Sequence, residues 1–206
     1  MKRAFDVVLS AFGIALVSPI LLIAAIAVRR SSPGPIFFRQ DRVGLRGELF
    51  KVYKFRSMTV NDAAGPAAYA GEARVTAAGR IIRRTKIDEL PQLFNVFRGE
   101  MSLVGPRPQI PHYVAMYTAE QRQVLTVKPG VTGPSQIAFR DEEAILARAA
   151  DPEQLYISQV MPAKLALDLG YVRHHTLFGD LGLILRTFTA ILLPMVPGFR
   201  RKAQTD

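Results

Sequence analysis

The sequence has 206 residues and no cysteine. This absence excludes disulfide frameworks, zinc–thiolate sites, iron–sulfur clusters and thiol nucleophiles. There are only three histidines, His112, His174 and His175, and beyond the adjacent pair they show no metal-ligand spacing, so we expect them at the surface. Any catalysis must therefore use carboxylates, basic side chains or a bound metal ion.

Acidic residues are also scarce. The chain has 17 Asp and Glu against 27 Lys and Arg, which gives a formal net charge of +10. This charge favours an anionic partner: nucleic acid, anionic lipid headgroups or a phosphorylated small substrate. Hydrophobic residues make up 49% of the chain, which argues against disorder and predicts that part of the surface meets lipid. The length fits a single hydrophobic core.

One long apolar run, from Val7 to Val28, could cross a bilayer as a helix. Basic residues flank both of its ends, Lys2–Arg3 and Arg29–Arg30, and positive residues tend to stay on the cytoplasmic side. If both ends stay there, the helix must enter the membrane and return. Pro19 would bend it, and the Ser18 hydroxyl would satisfy a carbonyl that the proline frees. A straight span and a cleavable signal peptide are the alternatives.

Beyond this run, the pattern predicts a β-hairpin with strands Ile36–Val43 and Glu48–Phe55 around the turn Gly44–Gly47. Residues Asn61–Gly79 predict a loop that has room for one helical turn. Helix signals follow at Leu90–Phe97 ended by Gly99, at Thr118–Thr126 with a Thr118–Gln121 capping box, from Asp141 and from Asp151–Pro152. Gly179–Val196 predicts an amphipathic helix in the membrane interface. We therefore expect an α+β, helix-dominated fold, divided into a re-entrant membrane helix (residues 1–30) and a cytoplasmic domain (residues 31–206).

The densest charged segment lies between Arg80 and Pro108, where Asp88 and Glu89 follow several basic residues and precede a helix start. In one interpretation Asp88 caps that helix, Glu89 complements its dipole and the basic residues form a solvated face. In the other, the helix N-terminus and the arginines bind a phosphate, while the two carboxylates bind Mg²⁺ or attack phosphorus. Arg107, between two prolines, is a further candidate phosphate ligand.

Other charged residues leave two interpretations open. Lys54 and Arg56 end the second predicted strand on the same face, so they could reach a shared phosphate or form a pair of exposed strand charges. Asp168 and Asp180 could contribute to a substrate site or satisfy helix ends.

Several motifs resemble those of one enzyme family. They are Lys54-Phe55-Arg56-Ser57-Met58, Asp88-Glu89-Leu90-Pro91-Gln92-Leu93, Asn95-Val96, Gly99, Met101-Ser102-Leu103-Val104-Gly105-Pro106-Arg107-Pro108 and Lys128-Pro129-Gly130-Val131-Thr132-Gly133. In this order they closely resemble the bacterial sugar transferases called monotopic phosphoglycosyl transferases. Members of that family move a sugar-1-phosphate from a nucleotide diphosphate sugar, usually a UDP-sugar, to a polyprenyl phosphate such as undecaprenyl phosphate. They thereby start glycoconjugate assembly at the inner face of the cytoplasmic membrane.

The resemblance assigns roles to individual residues. It implies that Asp88 is the nucleophile that forms a phosphosugar intermediate with release of UMP, and that Glu89 is its partner carboxylate for Mg²⁺. Arg83 matches a phosphate-contacting arginine, and Ser18–Pro19 matches the motif that bends the re-entrant helix. Arg140 fits a basic substrate contact, although the family's usual Trp-Ala-Gln after the Thr-Gly pair is replaced here by Pro134-Ser135-Gln136.

Together these observations predict a cytoplasmic catalytic domain at the bacterial inner membrane. Its expected partners are a nucleotide sugar, a polyprenyl phosphate and the phospholipid membrane, with a homodimer left open and nucleic acid not expected. One alternative is a membrane-tethered basic protein that binds anions without catalysis. A second alternative is an exported or anchored periplasmic protein, which requires the first segment to be a signal peptide or a full span.

Overall fold

Helices account for most of the described residues, as the sequence predicts. The structure is a computed structural model that describes residues 1–59 and 74–192. Its helices are α1 (Lys2–Ser31), α2 (Ala77–Arg84), α3 (Gln92–Arg98), α4 (Pro111–Ala115), α5 (Pro134–Ala138), α6 (Glu142–Leu146), α7 (Pro152–Leu155), α8 (Met161–His174) and α9 (Leu177–Leu192). The strands are β1 (Phe37–Val43), β2 (Leu49–Phe55), β3 (Ser102–Val104) and β4 (Gly130–Thr132). Short 3₁₀ helices lie at Leu45–Gly47, Ile87–Glu89 and Gln121–Thr126, and a π-helical turn at Tyr156–Val160 leads into α8.

The first helix runs without interruption through a proline. Pro19 has no N–H to donate to the carbonyl of Ala15, four residues earlier. The Ser18 Oγ donates to that carbonyl at 2.9 Å instead, so the predicted compensation by the serine is confirmed. Among the residues that the structure describes, α1 is the helix long and apolar enough to cross a membrane.

Both ends of α1 pack against the rest of the chain, and its middle presents apolar side chains outward. Asp6 and Ser10 are buried near its start, and Ala24 and Val28 near its end. The large apolar residues of this middle part are each about two-thirds exposed, namely Val8, Phe12, Leu16, Leu22 and Ile23. The helix therefore lies along the domain with one apolar face uncovered.

The predicted β-hairpin is confirmed. β1 and β2 pair antiparallel, in a register that runs from Phe37 opposite Phe55 to Val43 opposite Leu49. Arg46 and Gly47 have φ of 56° and 87° in the connecting turn, a left-handed conformation that glycine adopts without strain. The hairpin carries Lys54 toward the centre of the domain, beside the segment that links α2 to α3.

A second pair of strands, β3 and β4, is parallel and was not predicted. Each strand has three residues, and Ser102 pairs with Gly130 and Val104 with Thr132. The backbones approach so closely that a Cβ on Gly130 would lie 2.1 Å from the nitrogen of Gly105. The glycines therefore permit a backbone contact that fixes the chain just before Arg107.

The main hydrophobic core surrounds α8. It contains Val43, Tyr113, Val114, Tyr117, Val124, Tyr156, Val160, Met161, Leu165 and Leu169. A smaller cluster of Ala24, Val28, Phe55 and Ile82 joins the end of α1 to β2 and α2. The core thus holds α8 behind the segment between β3 and α4, residues 105–110, which we call the Arg107 loop. It also holds α1 beside the hairpin.

Most of the other local predictions are confirmed. α3 ends at Gly99, which has φ of 92°. Thr118 and Gln121 form the predicted reciprocal capping bonds, although the following segment is a 3₁₀ helix rather than an α-helix. Asp151 caps α7 by accepting from the Gln154 N–H at 2.9 Å.

Two predicted segments extend beyond the described residues. The predicted loop Asn61–Gly79 falls largely outside the described residues. Its last three residues form the first turn of α2, in agreement with the one helical turn that the sequence suggested there. They are helical because the Thr76 hydroxyl accepts from the Gly79 N–H at 2.9 Å. The predicted helix Gly179–Val196 corresponds to α9, which begins at Leu177 and is described as far as Leu192, so its predicted end lies outside the described residues.

Candidate active site

The two adjacent carboxylates lie in the short 3₁₀ helix between α2 and α3. Lys86, just before it, has φ of 57°, an unusual left-handed conformation for a residue with a side chain. Such strained positions occur often at functional sites. Pro91 occupies the N-cap position of α3 and no side chain caps that helix. The interpretation in which Asp88 caps the helix is therefore wrong.

Glu89 is held by two cations. Lys54 Nζ donates to its Oε1 at 2.7 Å, and Arg107 Nη2 donates to the same atom at 2.8 Å. Burial alone would raise the pKa of Glu89, but the charges and hydrogen bonds of Arg107 and Lys54 hold this pKa well below its ordinary value. Glu89 is therefore ionised throughout the physiological pH range.

Asp88 has the opposite environment. Its Oδ1 is buried and has no hydrogen-bond partner among the described residues. Burial, together with repulsion from Glu89, raises the pKa of Asp88 to about 6. The nearby cations of Lys54, Lys86 and Arg107 oppose this shift. The result is a carboxylate that is ionised at neutral pH, poorly solvated and free to react.

The flanking strands aim the two cations at Glu89. Lys54 projects from β2, and burial lowers its pKa, while the charge of Glu89 raises it. Arg107 follows β3 and lies between Pro106 and Pro108, whose rings restrict the backbone. The ion pair with Glu89 raises the pKa of Arg107. Residues far apart in sequence thus form one compact charged cluster.

The other predicted phosphate ligands make different contacts. Arg56 is 5% exposed, and its guanidinium donates to the carbonyls of Pro33 at 2.8 Å and Ser32 at 2.7 Å, so its contacts are with the loop after α1. Arg83 forms an ion pair with the exposed carboxylate of Glu143 on α6. Arg140 donates to the carbonyl of Ala190 on α9 at 2.6 Å and lies near Asp141. Phosphate binding by these three arginines stays a prediction.

The three histidines lie at the surface, as predicted. More than half of the His112 side chain is exposed, and His174 and His175 are also exposed. The described residues contain no cluster of three or more His, Asp or Glu side chains that could hold a metal ion. Within the described residues, the adjacent pair Asp88–Glu89 stays the candidate for binding a divalent cation together with a substrate.

This pair fits Mg²⁺, which proteins often bind through one or two carboxylates plus substrate phosphates. Asp88 Oδ1 is a buried oxygen without a donor. The described hydrogen bonds to Glu89 both fall on Oε1, which leaves Oε2 to act as a ligand.

The sequence named Asp168 as a candidate for a substrate site or a helix end, but it did not predict the buried polar network that this residue forms behind Arg107. Asp168 on α8 contacts Ser135 and the backbone of Arg107, and the neighbouring Lys164 pairs with Glu142. The only signal in the sequence was that Asp168 interrupts an apolar helical pattern. Asp180, also left open, is fully buried and pairs with Lys2 of α1.

Comparison with known proteins places the chain in a family. Residues 1–194 match the family described as bacterial sugar transferase. The chain is 40% identical over 204 residues to the UDP-glucose:undecaprenyl-phosphate glucose-1-phosphate transferase of Caulobacter vibrioides, covering 93% of this chain and 69% of the relative. The protein of the same name from Escherichia coli K12 is 41% identical over 197 residues, covering 91% of this chain and 39% of the relative.

A third relative carries a different sugar in its name. The UDP-N-acetylgalactosamine-undecaprenyl-phosphate N-acetylgalactosaminephosphotransferase of Aeromonas hydrophila is 36% identical over 199 residues, covering 93% of this chain and 44% of the relative.

The protein described by this sequence is an enzyme of the transferase class. It belongs to the bacterial sugar transferase family, which confirms the resemblance seen in the sequence. It spans less than half the length of the E. coli and Aeromonas relatives.

Proposed function

We propose that the enzyme transfers a sugar-1-phosphate from a nucleotide diphosphate sugar, a UDP-sugar by analogy with its relatives, to undecaprenyl or another polyprenyl phosphate. The observation that carries this proposal is the unequal carboxylate pair. Glu89 is ionised and neutralised by Lys54 and Arg107, while Asp88 has a buried oxygen without a partner. This arrangement suits a carboxylate nucleophile beside an electropositive site for phosphate.

The reaction would proceed in two displacements. First, an Asp88 oxygen attacks the sugar-bearing phosphorus of the donor, and the bond from that phosphorus to the bridging oxygen breaks, so UMP leaves with the bonding electrons. A phosphosugar–aspartyl intermediate remains. A phosphate oxygen of the polyprenyl phosphate then attacks the same phosphorus and releases the Asp88 carboxylate. The product is a polyprenyl diphosphate sugar, the first membrane-bound intermediate of glycan assembly.

The basic residues would bind and orient the donor. Arg107 and Lys54 lie beside Glu89, where they can neutralise charge on the phosphates as it redistributes during transfer. Arg83 would exchange its surface partner Glu143 for a donor phosphate. Asp88 and Glu89 would hold Mg²⁺, which supplies charge neutralisation at the phosphates when it is bound.

The packing of α1 supports a re-entrant position in the membrane. Near its N-terminus, Arg3 donates to the carbonyls of Val96 and Phe97 on α3, and near its C-terminus Val28 packs against Phe55 and Ile82. A helix that crosses a bilayer has its two ends on opposite sides of a hydrocarbon layer that is about 30 Å thick. Because both ends contact one catalytic domain, we infer that both lie on the same side of the membrane, the cytoplasmic side.

The last described helix, α9, also presents apolar side chains outward. Large side chains on one face of α9, namely Phe178, Leu181, Leu185 and Phe188, are between 44% and 90% exposed. Their spacing gives one apolar stripe along the helix. We infer that α9 lies in the membrane interface, which would set the depth of Asp88 so that a soluble donor and a lipid phosphate reach it together.

The reaction is tested by UMP release from a panel of UDP-sugars with Mg²⁺, with and without undecaprenyl phosphate. Wild type is compared with Asp88→Asn and with the matched surface variant Asp41→Asn. We expect lipid-dependent turnover with at least one sugar, lost in Asp88→Asn and retained in Asp41→Asn. Without the lipid, we expect one equivalent of UMP and a phosphosugar adduct on the protein by mass spectrometry.

Two results would contradict the mechanism. Turnover that persists in Asp88→Asn would exclude Asp88 as the nucleophile. Salt-sensitive binding of anions that is indifferent to Asp88, with no UMP from any donor in a folded preparation, would favour the anion-binding alternative.

The topology of α1 is tested separately by cysteine labelling, which has no background here because the chain contains no cysteine of its own. Single cysteines introduced at Lys2 and Ser31 are labelled with an impermeant reagent from either side of the membrane. Labelling of both only from the cytoplasmic side is expected, whereas labelling from opposite sides would exclude the re-entrant arrangement.

A further inference from the structure

Asp168 is a buried carboxylate that the proposed reaction does not use. It lies within α8 and is 3% exposed, so it neither satisfies a helix end nor meets solvent. Among the described ion pairs, none includes Asp168; Lys164, one turn earlier on the helix, pairs with Glu142 instead. A buried charge without a direct counter-ion is costly unless hydrogen bonds compensate.

The compensating donors come from two segments. The Ser135 Oγ donates to Asp168 Oδ2 at 2.9 Å, and the Ser135 N–H approaches Oδ1 at 3.4 Å. The backbone N–H of Arg107 approaches Oδ2 at 3.4 Å. The two amide contacts are long and mainly electrostatic, but all three donors converge on the one carboxylate.

The contact with Arg107 uses the only backbone donor of the three residues 106–108. Pro106 and Pro108 have no N–H, so within residues 106–108 the amide of Arg107 is the one group that a buried acceptor can hold. The same residue extends its guanidinium to Glu89 at 2.8 Å. Arg107 therefore links Asp168 on one side to the reacting carboxylates on the other.

We propose that Asp168 is a positioning residue, which holds the backbone of Arg107 so that its guanidinium is aimed at Glu89 and at a donor phosphate. This inference rests on the proposed function for the identity of the phosphate. Gln136, next to Ser135, supports the same loop by donating to the carbonyls of Gly105 at 3.3 Å and Gly130 at 3.4 Å.

The expected effect follows from the geometry. Asp168→Ala would remove the support at the Arg107 N–H, while the bonds to the carbonyls of Pro106 (from Gly130 N–H, 2.8 Å) and Pro108 (from Arg42, 3.1 Å) remain, so the guanidinium would shift within a loop that is still attached. A misplacement of about 1 Å costs up to roughly 100-fold in rate. We therefore expect kcat/KM for the donor to fall about 10- to 100-fold. If Asp168 acts through Arg107, the loss must disappear once that side chain has been removed.

A double-mutant cycle measures this dependence. UMP release is determined for wild type, Asp168→Ala, Arg107→Ala and the double variant, with kcat and KM resolved. The double variant is expected to match Arg107→Ala within about twofold, because coupled residues are non-additive. Losses that multiply would show that Asp168 acts independently of Arg107 and would overturn the proposal.

Two further variants separate positioning from stability. Leu165→Ala leaves a cavity in the core on the same helix without touching the Arg107 loop, so its effect should multiply with that of Arg107→Ala. Asp168→Asn keeps one oxygen for Ser135 Oγ and the Arg107 N–H, and it should retain most of the activity. If Asp168→Ala does not fold, Ser135→Ala takes its place in the cycle, because it removes the shortest hydrogen bond to the carboxylate.

A spectroscopic measurement makes the outcome independent of turnover. Side-chain ¹⁵N signals of Arg107, assigned by their loss in Arg107→Lys, should shift or gain rotational freedom in Asp168→Ala or Ser135→Ala but not in Leu165→Ala. Unchanged signals in the folded variants would overturn the proposal. If wild type releases no UMP, the proposed function fails, while this measurement still decides whether Asp168 positions Arg107.

Discussion

Replacement of Asp88 by asparagine should make the protein more stable, and the gain should depend on pH. The carboxylate of Asp88 has a buried oxygen without a donor, and burial raises its pKa from an ordinary value of 3.8 to about 6. A displacement of this size corresponds to about 3 kcal/mol of unfavourable free energy for the ionised form in the folded state. Asparagine has a similar shape and no charge, so it avoids this cost.

The sign follows from which state loses its proton first. Below pH 3.8 the carboxyl group is protonated in both the folded and the unfolded chain, and ionisation costs nothing. As the pH rises toward 6, the unfolded chain ionises first and the folded state is disfavoured. The free energy of unfolding of Asp88→Asn should therefore exceed that of wild type by about 1.5 kcal/mol at pH 5 and about 3 kcal/mol at pH 8.

Thermal unfolding by circular dichroism in lipid nanodiscs measures the difference. For a chain of this size, the gain at pH 8 corresponds to roughly 6 to 12 °C in Tm, and about half of that at pH 5. Asp41→Asn is the matched control, since Asp41 is exposed and pairs with Lys51 at the surface. The reasoning is refuted if Asp88→Asn is no more stable than wild type at pH 8, or if its advantage grows as the pH falls.

Two other predictions concern the rate and the backbone. Only the ionised carboxylate of Asp88 attacks, so kcat/KM for UMP release should rise about tenfold per pH unit below the Asp88 pKa of about 6 and level off above it. The measurement covers pH 5 to 8, and a flat profile would contradict this role. Gly79→Ala should lower the free energy of unfolding by about 3 kcal/mol, because its Cβ would lie 1.9 Å from the carbonyl oxygen of Ser57. Gly170→Ala, on an open face of α8, should raise the free energy of unfolding by up to about 1 kcal/mol. Urea unfolding measures both variants, and equal effects of the two substitutions would contradict the difference in space around the two glycines.

The sequence predicted those features that depend on local chemistry. The hairpin, the end of α3 at Gly99 and the hydrogen bond from Ser18 to the carbonyl that Pro19 leaves free all involve residues close in the chain. The pair Asp88–Glu89 was visible as a candidate site, because it directly follows several basic residues, whereas the roles predicted for the two carboxylates come from the family resemblance. In each case one segment contains both the cause and its effect.

Features that depend on long-range packing were not predictable. Strand alternation placed Arg56 beside Lys54, yet the Arg56 guanidinium binds carbonyls 23 and 24 residues earlier in the chain. The role of Asp168 depends on Ser135, 33 residues away, and on the Arg107 loop, 61 residues away. A single sequence gives no register between such segments, so these contacts emerge only when the core assembles.

The structure also ties the first helix to the Arg107 loop. Asp6 of α1 accepts from the Leu103 N–H at 3.0 Å, and Lys2 Nζ donates to the carbonyl of Val104 at 3.2 Å. These contacts hold β3, which ends three residues before Arg107. Removal of α1 to obtain a soluble domain would therefore release the strand that presents the guanidinium to Glu89. The helix that we place in the membrane is for this reason part of the catalytic framework as well as an anchor.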